Sequence, residues 1–117
     1  MNGRKFPRVN YRCRILICKN GEEKIFDANT ENIGQGGVCV SLPNDVGMFE
    51  RVGVELFLGE GGSPVKCKGK VVWVVKGHGS AVGGEVAYDT GVEFTDLDRK
   101  DRERIEGLIN GLLGPGT

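Results

Sequence analysis

The sequence predicts a mainly β (all-β) protein, a six-stranded antiparallel split β-barrel that ends in one C-terminal α-helix. Three observations support this fold class. Apolar and polar residues alternate in several short runs, as they do in half-buried strands. The 20 glycines recur in clusters between these runs, which indicates frequent turns. Only the last segment has the spacing of an amphipathic helix.

The length and charge of the chain set limits on its organisation. The 117 residues suffice for one ordinary domain. We predict a flexible N-terminal arm at 1–10, a barrel with its helix at 11–112 and a tail at 113–117. The 16 basic and 16 acidic side chains cancel, which argues against a nucleic acid polymer as partner. With no signal peptide and no apolar run of membrane-spanning length, we expect a cytoplasmic protein without membrane insertion, and we favour a monomer.

The first two strands are predicted on either side of an Asn-Gly turn. Residues 11–18 alternate between apolar and polar positions, and Asn20-Gly21 tolerates the backbone angles of a tight hairpin. Residues 23–30 should therefore return antiparallel to the first strand. The segment 31–37 then contains Gly34, Gly36 and Gly37, which predict a tight loop with exposed backbone amides.

Four further strands and the helix follow. Alternation restarts at 38–42, 52–58, 65–76 and 85–94, with glycine- or proline-containing turns between these runs. The end of the third of these, 71–75, is apolar on both faces, so we expect the terminal helix to cover its outer face. Asp98 is the predicted N-cap of that helix. The apolar residues at helical spacing are Ile105, Leu108, Ile109 and Leu112.

The inventory of reactive side chains does not favour an enzyme. The only histidine, His78, lies between glycines in a predicted loop, and no nucleophile, base and orienting acid can be grouped. The cysteines lie in strand-like runs and not in CxxC pairs, so we interpret them as reduced core thiols and not as a metal site. These cysteines are Cys13, Cys18, Cys39 and Cys67.

Two features combine into a binding pattern. Arg4 and Arg8 place two guanidinium groups four residues apart on the arm, and such groups bind phosphate oxygens and the O6/N7 edge of guanine. Taken alone, the pair is typical of a solvated terminus, and the glycine loop is typical of a structural bend. They occur in a fixed order, however, with Asn32-Ile33-Gly34-Gln35-Gly36-Gly37 following the arginine pair.

With these two motifs the sequence resembles the PilZ family, from about residue 4 to residue 109. The family signature is Arg-x-x-x-Arg followed by Asp/Asn-x-Ser-x-x-Gly, and the segments 69–74, 91–94 and 97–102 are also similar. The resemblance implies a receptor that binds cyclic di-GMP as its ligand, without a cofactor and without catalysis. The arm would fold over the nucleotide and signal to an effector protein that the sequence does not identify.

The resemblance also implies roles for individual residues. Arg4 and Arg8 would clamp phosphates and guanine edges. Asn32 would meet the amino and ring-nitrogen edge of a guanine, and Gly37 would let the backbone approach the ligand. Gly34 stands where the family usually has serine. We therefore expect the loss of one hydroxyl contact to weaken binding without abolishing it.

Two other functions remain open at this point. Gly34 in place of serine favours a degenerate PilZ-like module that binds a protein and not the nucleotide, although the retained arginines and Asn32 argue against it. Lys66, Lys68 and Lys70 on one strand face are also compatible with a barrel that binds single-stranded nucleic acid. The zero net charge argues against that second function.

Overall fold

The computed structural model describes residues 8–19, 25–59, 61–77 and 86–114. In these ranges the chain forms seven strands and one helix, and every strand pair is antiparallel. The elements are β1 (Arg8–Asn10), β2 (Arg14–Lys19), β3 (Ile25–Gly34), β4 (Gly37–Leu42), β5 (Arg51–Phe57), β6 (Val65–Lys76), β7 (Tyr88–Phe94) and α1 (Arg99–Leu113).

Six of the strands close into a barrel. They pair in the order β3-β2-β5-β6-β7-β4, and β4 pairs again with β3. The alternating apolar residues fill the interior, where Ile15, Leu56, Val71 and Val92 are almost completely buried. The predicted fold class is therefore confirmed, and β1 is an additional strand on β3.

The terminal helix begins at its predicted cap. The side chain of Asp98 accepts a hydrogen bond from the backbone N–H of Asp101 at 2.9 Å, which satisfies one of the free N–H groups of the first turn. Ile105 and Ile109 are buried, and the helix packs against β1 and β3. No helix among the described residues has the length and apolar character needed to cross a membrane.

The helix does not lie where we expected it on β6. We predicted that it covers the outer face of residues 71–75, and this is wrong, because α1 packs mainly against β1 and β3. The β6–β7 register shifts between Val71 and Trp73, which indicates a β-bulge. Beyond the bulge the indole of Trp73 covers the backbone of Gly91, and Val75 remains 55% exposed.

The predicted loop at 31–37 is mostly strand. β3 continues to Gly34 and β4 begins at Gly37, so only Gln35 and Gly36 form the turn. None of the glycines in this hairpin has a positive φ angle, and Ile33 pairs with Val38 inside the barrel. The expectation of a loop was wrong because burial of apolar residues on both sides of the turn outweighs the weak strand preference of glycine.

The N-terminal segment is attached to the barrel from Arg8 onwards. Residues 8–10, which we assigned to the arm, form β1 and pair with β3, while residues 1–7 lie outside the described ranges. Between β1 and β2 the hydroxyl of Thr30 donates to the carbonyl of Tyr11 at 2.6 Å and accepts from the N–H of Cys13 at 2.9 Å. One buried side chain thus fixes the junction of the two strands along the same edge of β3.

Candidate functional site

Most of the predicted site residues lie together on the outer face of β1, β3 and β4. Arg8 pairs with Gly34 and Asn10 pairs with Asn32 across the β1–β3 ladder. Because side chains of directly paired residues point to the same side of a sheet, Arg8 and Asn32 share this face. Gly37 begins the neighbouring strand β4. Arg4 belongs to the segment 1–7, which lies outside the described part of the chain.

A continuous row of residues extends from Asn32 across the sheet. Asn32 pairs with Cys39 of β4, Cys39 with Gly91 of β7, and Gly91 with Trp73 of β6. We call the residues Asn10, Asn32, Cys39, Gly91 and Trp73 the Asn32 row. The row therefore connects the outer positions of five strands, with an indole at one end and two carboxamides at the other.

Two glycines allow close packing on this face. A Cβ atom at Gly91 would collide with the indole of Trp73, so the ring can lie flat on the strand only because no side chain is present. A Cβ atom at Gly37 would collide with the carbonyl oxygen of Val92 on β7. The close approach that requires glycine at position 37 is therefore an approach to the neighbouring strand, a requirement of the barrel itself.

Asn32 contains a polar atom that the described part of the chain leaves without a partner. Its side-chain oxygen Oδ1 is buried and accepts no hydrogen bond from any of the described residues. A buried polar atom left in this state costs about 1–3 kcal/mol, and native structures contain few of them. The atom is an acceptor, so a hydrogen-bond donor such as an N–H group would satisfy it.

The charges around Cys39 define the electrostatics of the face. The thiol donates a hydrogen bond to Oε1 of Glu31 at 3.4 Å. Burial, followed by the hydrogen bond to Glu31 and the carboxylates of Glu31 and Asp89, raises the pKa of Cys39 to about 12, and Arg8 opposes this increase. The thiol is thus protonated at neutral pH and is not a nucleophile. The same interactions place two carboxylates and one guanidinium near the Asn32 row. The charges of these three groups sum to a negative value, so an anion would bind here only with the help of a second cation.

The described residues contain no group of three potential metal ligands. The four cysteines all lie in the described ranges and form no disulfide; Cys13 and Cys39 are buried, and Cys18 and Cys67 are partly buried. The features of the candidate site that could bind a ligand are its hydrogen-bonding groups, its charged groups and the ring of Trp73.

Sequence reasoning missed several members of the Asn32 row. We interpreted Cys39 as a core thiol; it is 5% exposed, but its register with Asn32 places it on the outer side of the barrel. Asn10 was not considered, Gly91 was noted only within the family-like segment 91–94, and Trp73 only within the segments 69–74 and 71–75. The signal that would have found them is the strand register, which depends on the two-residue turn that we predicted as a longer loop.

The sequence matches the PilZ domain family over residues 2–111. None of the curated proteins compared with the chain matches it. Several solved structures do have the same fold. The Bacillus subtilis inhibitor of motility MotI/DgrA has a TM-score of 0.77 and 16% identity, and the match covers 100% of this chain and 55% of that one.

Two other similar structures contain cyclic di-GMP. The MrkH–c-di-GMP complex of K. pneumonia has a TM-score of 0.77 and 17% identity, and the match covers 97% of this chain and 53% of that chain. The PilZ domain with c-di-GMP of YcgR from Escherichia coli has a TM-score of 0.73 and 12% identity, with coverage of 92% and 89%. The chain thus spans about half the length of the MotI and MrkH chains. From the match over residues 2–111, we conclude that this chain belongs to the PilZ domain family.

Proposed function

We propose that this protein is a receptor that binds cyclic di-GMP as its ligand on the outer face of β1, β3 and β4, and that it is not an enzyme. The observation that carries the proposal is the buried, unpartnered Oδ1 of Asn32. Membership of the PilZ family supports it, as do the nucleotide-bound structures of MrkH and YcgR with the same fold. In the proposed complex a guanine N–H donates to Asn32.

The arginines supply the charge that the site needs. Arg8 lies on the same face as Asn32, but Glu31 and Asp89 are also near the Asn32 row, so one guanidinium does not make the face positive. Two phosphate groups therefore require another cation, and Arg4 precedes Arg8 by four residues. In this proposal Arg4 and Arg8 together hold the phosphates and the guanine edges.

Binding becomes a signal through the N-terminal segment. In this proposal the residues that carry Arg4 close over the nucleotide, and the closed form is recognised by an effector protein. Ordering a segment costs about 1–2 kcal/mol per residue, which favours moderate and reversible affinity, as a messenger sensor needs. We propose that the protein acts in the cytoplasm as a monomer.

Calorimetric titration with cyclic di-GMP tests the receptor function. Wild-type protein is compared with the Arg4→Ala/Arg8→Ala double variant, with Asn32→Ala and with Lys100→Ala as a surface control on α1. We expect saturable binding by the wild type and the control, at least a tenfold loss (about 1.4 kcal/mol) for Asn32→Ala, and a larger loss for the double variant. If the wild type does not bind at high micromolar ligand, Gly34 has made the domain a protein-interaction module without nucleotide binding.

A further inference from the structure

An open apolar groove lies on the outer face of β2, β3, β5 and β6. Its cavity volume is about 470 Å³. Leu16, Cys18 and Ile25 belong to the apolar part of the lining, and Gly53, Lys66 and Lys68 also line the groove. Ile25 is 58% exposed, although it is a large aliphatic side chain. None of the residues that line the groove belongs to the Asn32 row.

Gly53 is a glycine that the barrel itself does not require. A Cβ atom there would meet only the carbonyl oxygen and Cβ of Cys18, at 3.8 and 4.0 Å, which is ordinary van der Waals contact. In contrast, a Cβ at Gly37, Gly69 or Gly91 would collide with atoms of the chain. Glycine weakens the interior of a strand and often marks close approach by another molecule. Gly53 therefore leaves β5 open to close approach by another molecule.

The strands that border the groove carry an excess of positive charge. Arg51 pairs with Lys70 and Glu55 pairs with Lys66, while Lys68 stands opposite Gly53. Four cationic side chains therefore face one carboxylate on the outer side of β5 and β6. Within the described ranges, neither Lys66 nor Lys68 forms an ion pair.

The remaining carboxylate of the groove is already engaged. Asp96 accepts a hydrogen bond from the backbone N–H of Lys68 at 2.6 Å, and this bond fixes the loop after β7 to β6. The ammonium groups of Lys66 and Lys68 thus lie beside an apolar surface with their charge available to a partner. Because the whole chain has zero net charge, this excess of positive charge is a local property of one face.

We propose that the groove docks an acidic amphipathic segment of a partner protein. An apolar side chain of the partner lies above Gly53, against Leu16 and Ile25, and carboxylates of the same segment meet Lys66 and Lys68. The groove is lined by aliphatic and thiol groups, whereas single-stranded nucleic acid is bound on aromatic rings that stack with the bases. The groove proposal rests on the proposed function in one respect: it takes the partner protein to be the effector of the cyclic di-GMP receptor.

The probe is a library of displayed random peptides. Such a library samples many possible partner segments, so the partner protein need not be known in advance. Peptides are selected on the 117-residue protein, and an enriched peptide is synthesised and titrated by calorimetry. The variants are Gly53→Val, which fills the groove, and Lys66→Glu/Lys68→Glu, which reverses its charge. Lys100→Glu/Arg102→Glu on α1 also reverses two exposed charges and is the matched charge control. Gly53→Ala is a milder substitution for use if the valine variant does not fold.

We expect the enriched peptides to combine Asp or Glu with large apolar residues. Their affinity should fall at least about tenfold in both groove variants and remain unchanged in the control. Absence of such peptides, or equal affinity for wild type and Gly53→Val, would overturn the proposal. A single-stranded oligonucleotide whose binding is lost in the lysine variant and retained in Gly53→Val would assign the face to nucleic acid.

Titration of the same variants with cyclic di-GMP separates the two proposals. The substituted groove residues lie outside the Asn32 row, so nucleotide affinity should stay within about twofold of wild type. Peptide binding without nucleotide binding would contradict the receptor function and leave the groove assignment intact. Nucleotide binding without peptide binding would contradict the groove assignment alone.

Discussion

Arg8 lies directly opposite Gly34 in the β1–β3 ladder. The arginine that we propose to bind phosphate therefore stands opposite the one position of the family motif that lacks its usual side chain. Both residues belong to the face that carries Asn32, so a hydroxyl at position 34 would be added within the proposed site. This pairing makes the effect of the missing serine measurable in a single substitution.

The Gly34→Ser variant should bind cyclic di-GMP more tightly than the wild type. One ordinary hydrogen bond contributes roughly 0.5–1.5 kcal/mol, so the dissociation constant should fall about two- to twelvefold. Gly34→Ala is the control, because it adds a Cβ atom without the hydroxyl. Calorimetric titration of both variants decides the question, and equal affinities for serine and alanine would show that the hydroxyl makes no contact.

The Thr30→Val variant should lose stability and binding together. The hydroxyl of Thr30 bonds to Tyr11 and Cys13, and its removal leaves a partly buried carbonyl and a buried N–H without that partner. We expect the free energy of unfolding to fall by about 1–3 kcal/mol in urea titrations. Nucleotide affinity should also fall, because the junction holds β1 and therefore Arg8 in place.

Two further substitutions separate the role of the Thr30 hydroxyl from general packing. Thr30→Ser keeps the hydroxyl and should recover most of the stability. Thr95→Val changes an exposed threonine and should remain within about 0.5 kcal/mol of the wild type. A Thr30→Val protein as stable as the wild type would contradict the proposed junction.

The Gly91→Ala variant should displace Trp73. The added Cβ atom would occupy space that the indole fills. We expect a loss of about 1–3 kcal/mol in unfolding free energy and a red shift in the fluorescence of the single tryptophan. Gly36→Ala is the control, because a Cβ there meets nothing within 4 Å. Unchanged emission in Gly91→Ala would show that the ring does not lie on β7.

Stability should fall above pH 9 through Cys39. Burial raises the pKa of its thiol from 9.0 to about 12 in the folded protein. The contribution of the group is fully present below pH 9 and decreases as the pH rises towards 12, because only the unfolded chain releases the proton in this window. At one pH unit above the unfolded pKa the loss is roughly 1 kcal/mol.

Comparison with Cys39→Ala isolates this thiol from the other groups that titrate at high pH. Urea unfolding of both proteins at pH 8 and pH 10 should show a smaller decrease for the variant. Equal decreases would mean that the thiol ionises as easily in the folded protein as in the unfolded chain.

The alternation of apolar and polar residues predicted the barrel well, because this alternation reflects which side chains are buried. The alternation of Ile15, Ile17, Val52 and Val54 with polar residues survives as alternation between the inside and the outside of the barrel. The same reasoning failed at Gly34 and Gly37, because glycine has no side chain that marks a position as apolar or polar. The strand there is specified by Ile33 and Val38, which pair across the turn inside the barrel.

The site was only partly predictable for a related reason. Asn32, Arg8 and Gly37 were predicted from a motif, and at Gly37 the structure shows a close approach to β7. Cys39 and Gly91 join the Asn32 row only through pairing between strands that are distant in sequence. Such pairing depends on register, and the bulges in β3 and β6 change the register at positions that residue type does not reveal.

Those two bulges also bear on how many molecules the protein can hold. β3 carries Ile25 of the groove on one side of its irregularity and Asn32 on the other, and β6 likewise carries Lys68 before its bulge and Trp73 after it. The two faces therefore share the strands β3 and β6 without sharing a residue. If both proposals hold, nucleotide and partner do not compete for space, and the signalling species is a ternary complex whose abundance depends on both concentrations.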